Sequence, residues 1–410
     1  MIHIRALRDK TNWRATAPSI LLVLNSFVWF MLTYALFSAI VNGLNLLDSE
    51  KLGVFTTYFV GVAVSAILGS KFFPHARAKF LNLWPFTGAI ATLLLITVSS
   101  TGLLANALLA FFLGASIGIG LPSCLSYFAD STSVENRGFI GGIIWSGVGF
   151  SVLFFAFLIN MLGQWDTIVA LTIWRLFGGV GFLFLNRKHA QPAAQKSPSY
   201  LELIRKREVL LYLFPWVMFS IINFAEAPIL EGVFGADFIF VQLVEYAFIG
   251  IFAIVGGIVA DVAGRKRVVI AGFVMLGIEY AALSVFSNSP VTLYLFLTLD
   301  GITWGLFFSV FLMALWGDLG ENHEKEKYYT LGGLPFLLAG FLPILIKLYA
   351  RDISPTVISP TVAFSFASFF LFLAVIPLMY APETLPEKQR KDRELKSYIE
   401  KAKKVKEKYA

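Results

Sequence analysis

The chain has 410 residues, of which 57% are apolar, 16% are aromatic and only 14% are charged. A water-soluble domain of this size needs more polar surface than that, so the composition excludes one and indicates a multi-pass membrane protein. The net charge of +7 then indicates contact with anionic lipid head groups, because the sequence offers no separate soluble domain for nucleic acid.

Twelve apolar runs are long enough to cross a bilayer as helices, since a hydrocarbon core of about 30 Å requires about 20 residues. In the first half they cover residues 17–42, 52–73, 79–99, 102–128, 139–162 and 166–186. In the second half they cover residues 209–232, 238–260, 268–287, 290–317, 329–349 and 357–381. The alternating pattern of a membrane β-barrel is absent, so the sequence predicts an all-α polytopic membrane protein.

The basic residues segregate to one side when the twelve spans are threaded with both ends inside. Of the 33 Lys and Arg residues, all but four fall in segments on that side; the exceptions are Lys51, Arg175, Lys347 and Arg351. The positive-inside rule therefore predicts that both termini are cytoplasmic in a cell-membrane protein. No cleavable leader is expected, because the first span is longer than the core of a signal peptide.

The two halves are joined by a polar segment, residues 187–208, which contains Pro192 and Pro198. We predict a bundle of six helices at residues 1–186, this cytoplasmic linker, a second bundle at 209–381 and a basic cytoplasmic tail at 382–410. The tail spaces its apolar residues as a helix does, at Leu395, Ile399, Ala402, Val405 and Tyr409. An amphipathic helix on anionic lipid is favoured there over a solvated charge run.

A charged turn after the eighth span has a degenerate copy after the second span. An offset of 188 positions pairs Gly257 with Gly69, Asp261 with Phe73, Gly264 with Ala76, Arg265 with Arg77 and Arg267 with Lys79. The same offset pairs Asp318 with Asp130. An internal repeat shared by two membrane-bound halves indicates a duplicated transporter.

Three motifs resemble the major facilitator superfamily, and the resemblance extends over essentially the whole hydrophobic part of the chain. The turn after span eight is similar to the family motif G-x-x-x-D-x-x-G-R-[KR]-[KR] at Gly257, Asp261, Gly264, Arg265 and Lys266. The other two motifs follow spans four and twelve, at Asp130, Glu135, Arg137 and Gly138 and at Pro382, Glu383 and Thr384. The resemblance implies two pseudo-symmetric six-helix bundles and a secondary transporter that works by alternating access.

The resemblance also implies a gating loop, whose candidate residues are Gly257, Asp261, Gly264, Arg265, Lys266, Arg77, Asp130 and Arg137. Asp261 can lie against the positive end of a neighbouring helix, and in the family this contact holds the cytoplasmic side closed. Here it would be made with residues 138–142 at the start of span five, although a helix stop with snorkelling cations is the alternative. Because Phe73 and Ala76 depart from the motif, we expect the matching contact onto span eleven to be weak or replaced.

Polar residues at depths where they are costly indicate a central cavity. In span seven, Trp216, Ser220, Asn223 and Glu226 follow helical steps and share one face. The other candidates are Gln242, Glu245 and Tyr246 in span eight, Asp300, Thr303 and Trp304 in span ten, and Asn25, Trp29 and Thr33 in span one. Such stripes face water or a partner helix. Since spans one, four, seven and ten line the path in the family, Glu226 and Asp300 are the better-placed acids, and Glu279 belongs to a peripheral helix.

Three acids, Glu226, Asp300 and Glu245, are candidates for proton coupling. A low-dielectric cavity favours the protonated form of a carboxyl group, which can then bind and release a proton near ambient pH. The alternative is that Glu226 and Glu245 only hydrate an external vestibule or bond to a neighbour. The surplus of acids favours cationic or neutral polar solutes, whereas the Pro-Glu-Thr motif favours sugar-like ones.

Arg175 lies in span six, although no deep acid in the first half can neutralise it. It can pair across the interface, bind an anionic group or snorkel, and a structural role is favoured because span six is peripheral in the family. The single cysteine, Cys124, is expected to be a small buried residue. Close helix packing is predicted at the glycines of spans four and five, namely Gly114, Gly118, Gly120, Gly141, Gly142, Gly147 and Gly149.

The sequence contains no recognisable enzyme site. The four histidines lack metal-ligand spacing and no Walker loop is present; they are His3, His75, His189 and His323. We therefore expect no enzymatic activity, cofactor, metal or nucleic acid, and a monomer whose partners are a small-molecule substrate, a proton and the lipid bilayer. The alternative function is a membrane sensor or scaffold with the same fold that transports nothing.

Overall fold

A computed structural model describes residues 11–100, 102–159, 161–185, 197–286, 289–321, 323–349 and 359–385, and no strand occurs among them. The first half contains α1 (Trp13–Gly43), α2 (Asp48–Phe72), α3 (Arg77–Leu93), α4 (Leu103–Gly118 and Leu121–Ser131), α5 (Arg137–Ile159) and α6 (Gln164–Leu185). The second half contains α7 (Arg207–Ala225 and Ala227–Phe234), α8 (Phe238–Ala263), α9 (Arg265–Phe286), α10 (Pro290–Leu319), α11 (Glu326–Ala339 and Leu342–Tyr349) and α12 (Pro360–Tyr380).

By length and composition, eleven helical stretches of the described chain can cross a membrane. One of them, Arg207–Ala263, has 57 residues and would be about 85 Å long as a straight helix, far more than a bilayer needs. A turn at Gly235–Asp237 divides it, and there the backbone of Gly235 takes a φ of 53°. This stretch therefore supplies α7 and α8, and the prediction of an all-α protein with twelve spans is confirmed.

The predicted limits of the spans agree with the helices to within several residues. α1 begins earlier than expected, at Trp13, because the Asn12 side chain accepts a hydrogen bond from the Ala15 amide and caps the helix. α10 changes from an α-helix to a π-helix over Phe308–Leu315 before it ends at Leu319. Such a segment widens α10 locally, between the cavity and the ion pairs at the inner end, which are both described in the next section.

The packing of the first six helices is repeated by the last six. The contacts of α2 with α4, of α3 with α6 and of α1 with α6 correspond to those of α8 with α10, α9 with α12 and α7 with α12. Between the halves, α5 packs along α8 and α2 packs along α11, and the first of these contacts is the more extensive. The two bundles are therefore pseudo-symmetric, as the duplication predicts.

Both ends of the described chain lie at the same end of the bundle. Asn136, just before α5, bonds to Thr11, which precedes α1. Glu383, after α12, bonds to the backbone amides of Arg265 and Lys266 at the start of α9. We call this end, which the sequence predicts to be cytoplasmic, the inner end of the molecule.

Glycines let the helices of the two halves approach closely along α5 and α8. A side-chain carbon added at Gly257 would overlap the backbone of Gly138, and one added at Gly142 would overlap Ala253. The glycines of α4 make a similar contact with α2, where Gly114 lies against the backbone of Tyr58. The predicted packing role of these small residues is therefore confirmed for α4 and α5.

Part of the predicted linker packs against the inner end of both halves. A short helix, Tyr200–Arg205, is capped by Ser199, and the Tyr200 hydroxyl lies 2.5 Å from that of Ser70 in α2. Lys206 donates to Tyr328 in α11 at 2.8 Å. Residues 186–196 and the predicted amphipathic helix of the tail, in residues 386–410, lie outside the described residues.

Candidate functional site

A cavity of about 610 Å³ lies between the two halves, in the part of the bundle farther from the inner end. Its lining comes from α1, α2, α7, α8, α10 and α11. Ala39, Asn42 and Gln242 are exposed among the lining residues, so the cavity opens away from the inner end. A volume of this size is typical of sites that bind small molecules.

Two carboxyl groups enter this cavity, those of Glu245 in α8 and Asp300 in α10. Asp300 is 2% exposed, and its Oδ1 atom has no hydrogen-bond partner. The two carboxyl groups are close enough for a hydrogen bond, which requires that one of them carries a proton. Glu226 and Glu279 are buried near them, outside the lining.

Aromatic residues are the largest group in the rest of the described lining. Ten aromatic rings surround the cavity, those of Phe30, Tyr34, Phe59, Phe224, Phe238, Tyr246, Phe296, Trp304, Phe308 and Phe336. No Lys, Arg or His occurs among the described lining residues. The described lining is therefore mostly apolar, and it carries carboxyl groups without a basic group, with Asn223 and Gln242 as its main neutral polar groups on the second half.

The structure brings together six of the residues that the sequence nominated for this site. Asn223, Gln242, Tyr246 and Trp304 line the cavity with Glu245 and Asp300. The remaining nominations, Asn25, Trp29, Thr33, Trp216, Ser220, Thr303 and Glu226, are not part of the lining. Several of them bond to neighbouring helices instead: Trp216, for example, donates to the carbonyl of Gly332 in α11 at 2.6 Å.

Arg175 accounts for the placement of two of these residues. Its guanidinium is fully buried between the rings of Trp29 and Trp84, 4.6 and 4.4 Å from their centroids. It donates to the Asn25 side chain at 3.0 Å and to the Ser26 hydroxyl at 2.7 Å. Arg175 therefore binds α1 to α3 and α6 inside the first half, and of the open interpretations the structural role fits while snorkelling does not.

An aromatic stack closes the cavity on the side of the inner end. The ring of Trp145 in α5 lies parallel to that of Phe308 in α10, with centroids 3.7 Å apart. Phe308 also contacts Trp304 and Phe336 in the cavity wall, with centroids 4.8 and 5.3 Å apart. The same ring therefore touches both the cavity and the first half of the chain.

At the inner end, Asp261 makes the contact that the signature loop predicts. Its carboxylate accepts hydrogen bonds from the amides of Gly138 and Phe139 at 3.0 and 2.7 Å, and it pairs with Arg265 at 2.7 Å. These amides belong to the first turn of α5, where unpaired N–H groups and the helix dipole stabilise an anion. Gly264 follows the last residue of α8 and has a φ of 107°, a backbone conformation that residues with a side chain rarely adopt.

Buried ion pairs extend this contact into a network across the two halves. Asp318, at the end of α10, pairs with Arg265 in its own half at 3.0 Å and with Arg137 of the first half. All three side chains are fully buried. Glu321 also accepts from Arg137, at 2.9 Å.

The first half repeats this arrangement at the same offset. Asp130 pairs with Arg77 of its own half and with Lys325 of the other half, the latter at 2.7 Å. Lys325 and Arg137 are 188 positions apart, as are Asp130 and Asp318. We call the pairs formed by Arg77, Asp130, Arg137, Asp261, Arg265, Asp318, Lys325 and Glu326 the inner network.

Phe73 stands where the motif has an acid, and a carboxylate on α11 compensates for the missing acid. Phe73 stacks on Phe80, with ring centroids 3.8 Å apart, and makes no polar contact with α11. Instead, Glu326 occupies the α11 position that corresponds to Gly138, and it accepts from Arg77 at 2.6 Å. The contact onto α11 is thus replaced by an ion pair, one of the two outcomes that the sequence predicted.

The Pro-Glu-Thr motif after α12 joins the same network. Glu383 accepts from the amides of Arg265 and Lys266 at 2.9 and 3.3 Å, and Thr384 donates to Asp318 at 3.3 Å. Sequence reasoning did not assign functions to Lys325, Glu326 or Glu383. The offset of 188 positions could have identified Lys325, because it pairs that residue with Arg137.

Replacing Asp261 with Asn is expected to shift the equilibrium towards an open inner end by about 2 kcal/mol, the value of hydrogen bonds to a charged acceptor. The loss is partial because the Asn oxygen still accepts one of the two amides. The measurement is the labelling rate of a Ser309→Cys reporter in α10, in a Cys124→Ala background, by a membrane-impermeant reagent supplied from the inner side. An unchanged rate would contradict the assigned role of Asp261.

Comparison with known proteins yields a match in structure only. No protein-family model matches the chain, and no curated protein sequence does so. Among solved structures, the human organic anion transporter MFSD10 (TETRAN) matches with a TM-score of 0.64 and 15% identity over 89% of this chain and 99% of that one. The proton:xylose symporter XylE bound to 6-bromo-6-deoxy-D-glucose matches with a TM-score of 0.70 and 13% identity over 91% and 96% of the two chains.

A third solved structure, the E. coli fucose:proton symporter FucP in the outward conformation, matches with a TM-score of 0.68 and 11% identity, over 90% of this chain and 100% of that one. These similarities cover both halves of the chain. The chain therefore has the fold of major facilitator superfamily transporters, as the motifs indicate. At such identities the likeness concerns the fold and carries no information about the substrate.

Proposed function

We propose that the chain is a secondary transporter that moves a small solute across the cell membrane by alternating access, coupled to a proton gradient. The observation that carries this proposal is the cavity between the halves, open on one side while buried ion pairs close the other. We further propose that it works as a monomer with both termini in the cytoplasm, the orientation that the basic residues predict. XylE and FucP, two of the structural neighbours, are proton symporters, which supports this class of function.

The arrangement of α8 and α10 provides a physical route between the two sides. α8 carries Glu245 in the cavity and Asp261 in the inner network, and α10 carries Asp300 and Asp318 in the same two places. A helix transmits a tilt or rotation along its length, so a change at the cavity can separate the inner contacts. In the state described here the inner end is closed, and solute enters from the outer side.

The pair of Glu245 and Asp300 is the proposed site of proton coupling. The titratable groups that lie near this pair are Glu226 of α7, Tyr246 of α8, and Glu279 and Tyr280 of α9, and none of them is basic. With no basic group in the described lining to neutralise it, a second negative charge in this low-dielectric region is costly. The pair therefore retains a proton until water that enters the cavity stabilises the second carboxylate.

A pH gradient is expected to drive uptake into proteoliposomes, and loss of the carboxyl pair is expected to remove this dependence. The measurement compares accumulation of radiolabelled D-xylose, lactate, alanine and phenethylamine with and without the gradient. Asp300→Asn and Glu245→Gln should lower gradient-driven accumulation of the transported probe by about tenfold, because neither amide can exchange a proton. Glu226→Gln tests whether the third acid takes part.

The matched control is Glu231→Gln, which removes a carboxylate of α7 that pairs with Lys347 outside the cavity. It should leave uptake unchanged. Uptake that ignores the gradient, or full coupling in the Asp300 and Glu245 variants, would refute proton coupling at this pair. Absence of saturable flux for all probes would favour the sensor or scaffold alternative.

A further inference from the structure

We propose that the cavity selects a protonated amine carried on an aromatic or apolar body. This inference rests on the proposed function only in treating the bound molecule as the transported solute. Three features of the cavity support it independently of the fold: its charge, its unpaired hydrogen-bonding atoms and its aromatic walls.

The charge of the cavity favours a cation. Glu245 and Asp300 enter it, and no Lys, Arg or His is found among its described lining residues. If the two carboxyl groups share one proton, the pair keeps one negative charge that nothing in the described lining neutralises. A buried charge without a partner is unfavourable, so a monocation that reaches the pair gains a charge-assisted hydrogen bond and removes this penalty. An organic anion would instead meet repulsion.

The unpaired polar atoms specify what kind of cation fits. The Oδ1 atoms of Asp300 and Asn223 are buried acceptors without a partner, and the Nε1 atom of Trp304 is a buried donor without one. All three residues line the cavity. Unpaired acceptors beside the cavity favour a ligand that carries N–H or O–H donors, which an ammonium group provides and a quaternary ammonium group lacks.

The walls around these atoms fit an aromatic or apolar body. The rings of Trp304, Phe224 and Phe336 form a cluster in which the centroid of Trp304 is 6.0 and 6.1 Å from those of the other two, and Phe308 extends this wall. Exposed ring faces attract cations and stack with aromatic ligands. A sugar would need a polar partner for most of its hydroxyl groups, whereas most of the described lining residues are apolar or aromatic. Its neutral polar groups are Ser38, Asn42, Asn223, Gln242 and the polar atoms of Tyr34, Tyr246 and Trp304.

Direct binding to the purified full chain in lipid nanodiscs tests this proposal without requiring transport. Isothermal titration calorimetry compares four probes that share a phenylethyl group: phenethylamine, its N,N,N-trimethyl derivative, 2-phenylethanol and 3-phenylpropionate. We expect phenethylamine to bind at least tenfold more tightly than the alcohol, the trimethyl derivative to bind several-fold more weakly than the amine, and the carboxylate to give no binding. Asp300→Asn should weaken amine binding at least tenfold, whereas Glu231→Gln should not change it.

The ranking of probes on the unaltered protein does not depend on whether a variant folds, and thermal unfolding checks each variant. Equal affinity for the alcohol and the amine, preference for the carboxylate, unchanged affinity in Asp300→Asn or no binding of any probe would overturn the inference. Amine binding without flux in proteoliposomes would refute transport but leave this site in place. Gradient-driven flux of a sugar or an acid without amine binding would refute this inference but leave the proposed transport in place.

Discussion

Replacing Asp318 with Asn is expected to open the inner end of the molecule more than any other single change. Asp318 is the shared acceptor of Arg137 and Arg265, and all three side chains are fully buried. Removing one partner from a buried ion-pair network typically costs about 3–5 kcal/mol, because the remaining charges stay buried without compensation. In an open state water reaches these guanidinium groups, so the penalty falls mainly on the closed state.

A change of about 3 kcal/mol shifts the equilibrium between closed and open states by about two powers of ten. The Ser309→Cys reporter, in a Cys124→Ala background, should therefore be labelled about a hundredfold faster from the inner side. Ser309 is fully buried in the closed state, next to Gly141 of α5 and Gly256 of α8. A Ser38→Cys reporter in the cavity lining should become slower to label from the outer side.

The matched control for this change is Asp130→Asn at the corresponding position of the first half. The Asp130 side chain is 23% exposed, whereas that of Asp318 is fully buried. Water can partly replace a lost partner there, and Arg77 keeps its pair with Glu326. We expect Asp130→Asn to raise the labelling rate of the Ser309→Cys reporter about tenfold or less. Equal effects at the two positions would contradict the asymmetry that we infer.

The second large effect is expected at Glu326, where the chain departs from its own symmetry. Glu326 is fully buried and pairs with Arg77, whereas the corresponding residue of the other interface is Gly138. The carboxylate that α8 supplies as Asp261 is thus supplied by α11 in the other interface, facing Phe73. Glu326→Gln should raise labelling of the Ser309→Cys reporter by about fiftyfold, since a buried charge pair between the two halves is lost.

Moving the carboxylate from α11 to position 73, at the end of α2, should restore the closed state. The double variant Phe73→Asp with Glu326→Gly recreates the pairing of acid and glycine that Asp261 makes with Gly138, so its labelling rate should return towards that of the parent chain. Phe73→Asp alone should not help, because two carboxylates would then be close together. A double variant that labels as fast as Glu326→Gln would show that the position of the carboxylate is not interchangeable.

The gating residues were predictable from sequence to the extent that they belong to a repeated motif. Asp261 lies against the start of α5, as the motif implies, and the offset that relates Asp130 to Asp318 holds in the structure. Glu326 was not predictable in this way, because its partner Arg77 is distant in sequence and its symmetry mate is a glycine. A compensating residue on another helix leaves no local pattern.

The sequence by itself determined the number of spans and the duplication, because span length and repeat offset can be read directly along the chain and the bilayer constrains span length strongly. The cytoplasmic side of the charged segments stays a prediction from the distribution of basic residues. Only the tertiary structure decided which polar faces meet the cavity. Trp29 and Asn25 have the same pattern as a cavity stripe, yet they hold Arg175 in the first half. Helical periodicity specifies a face but not its neighbour, and the neighbour depends on how twelve helices pack together.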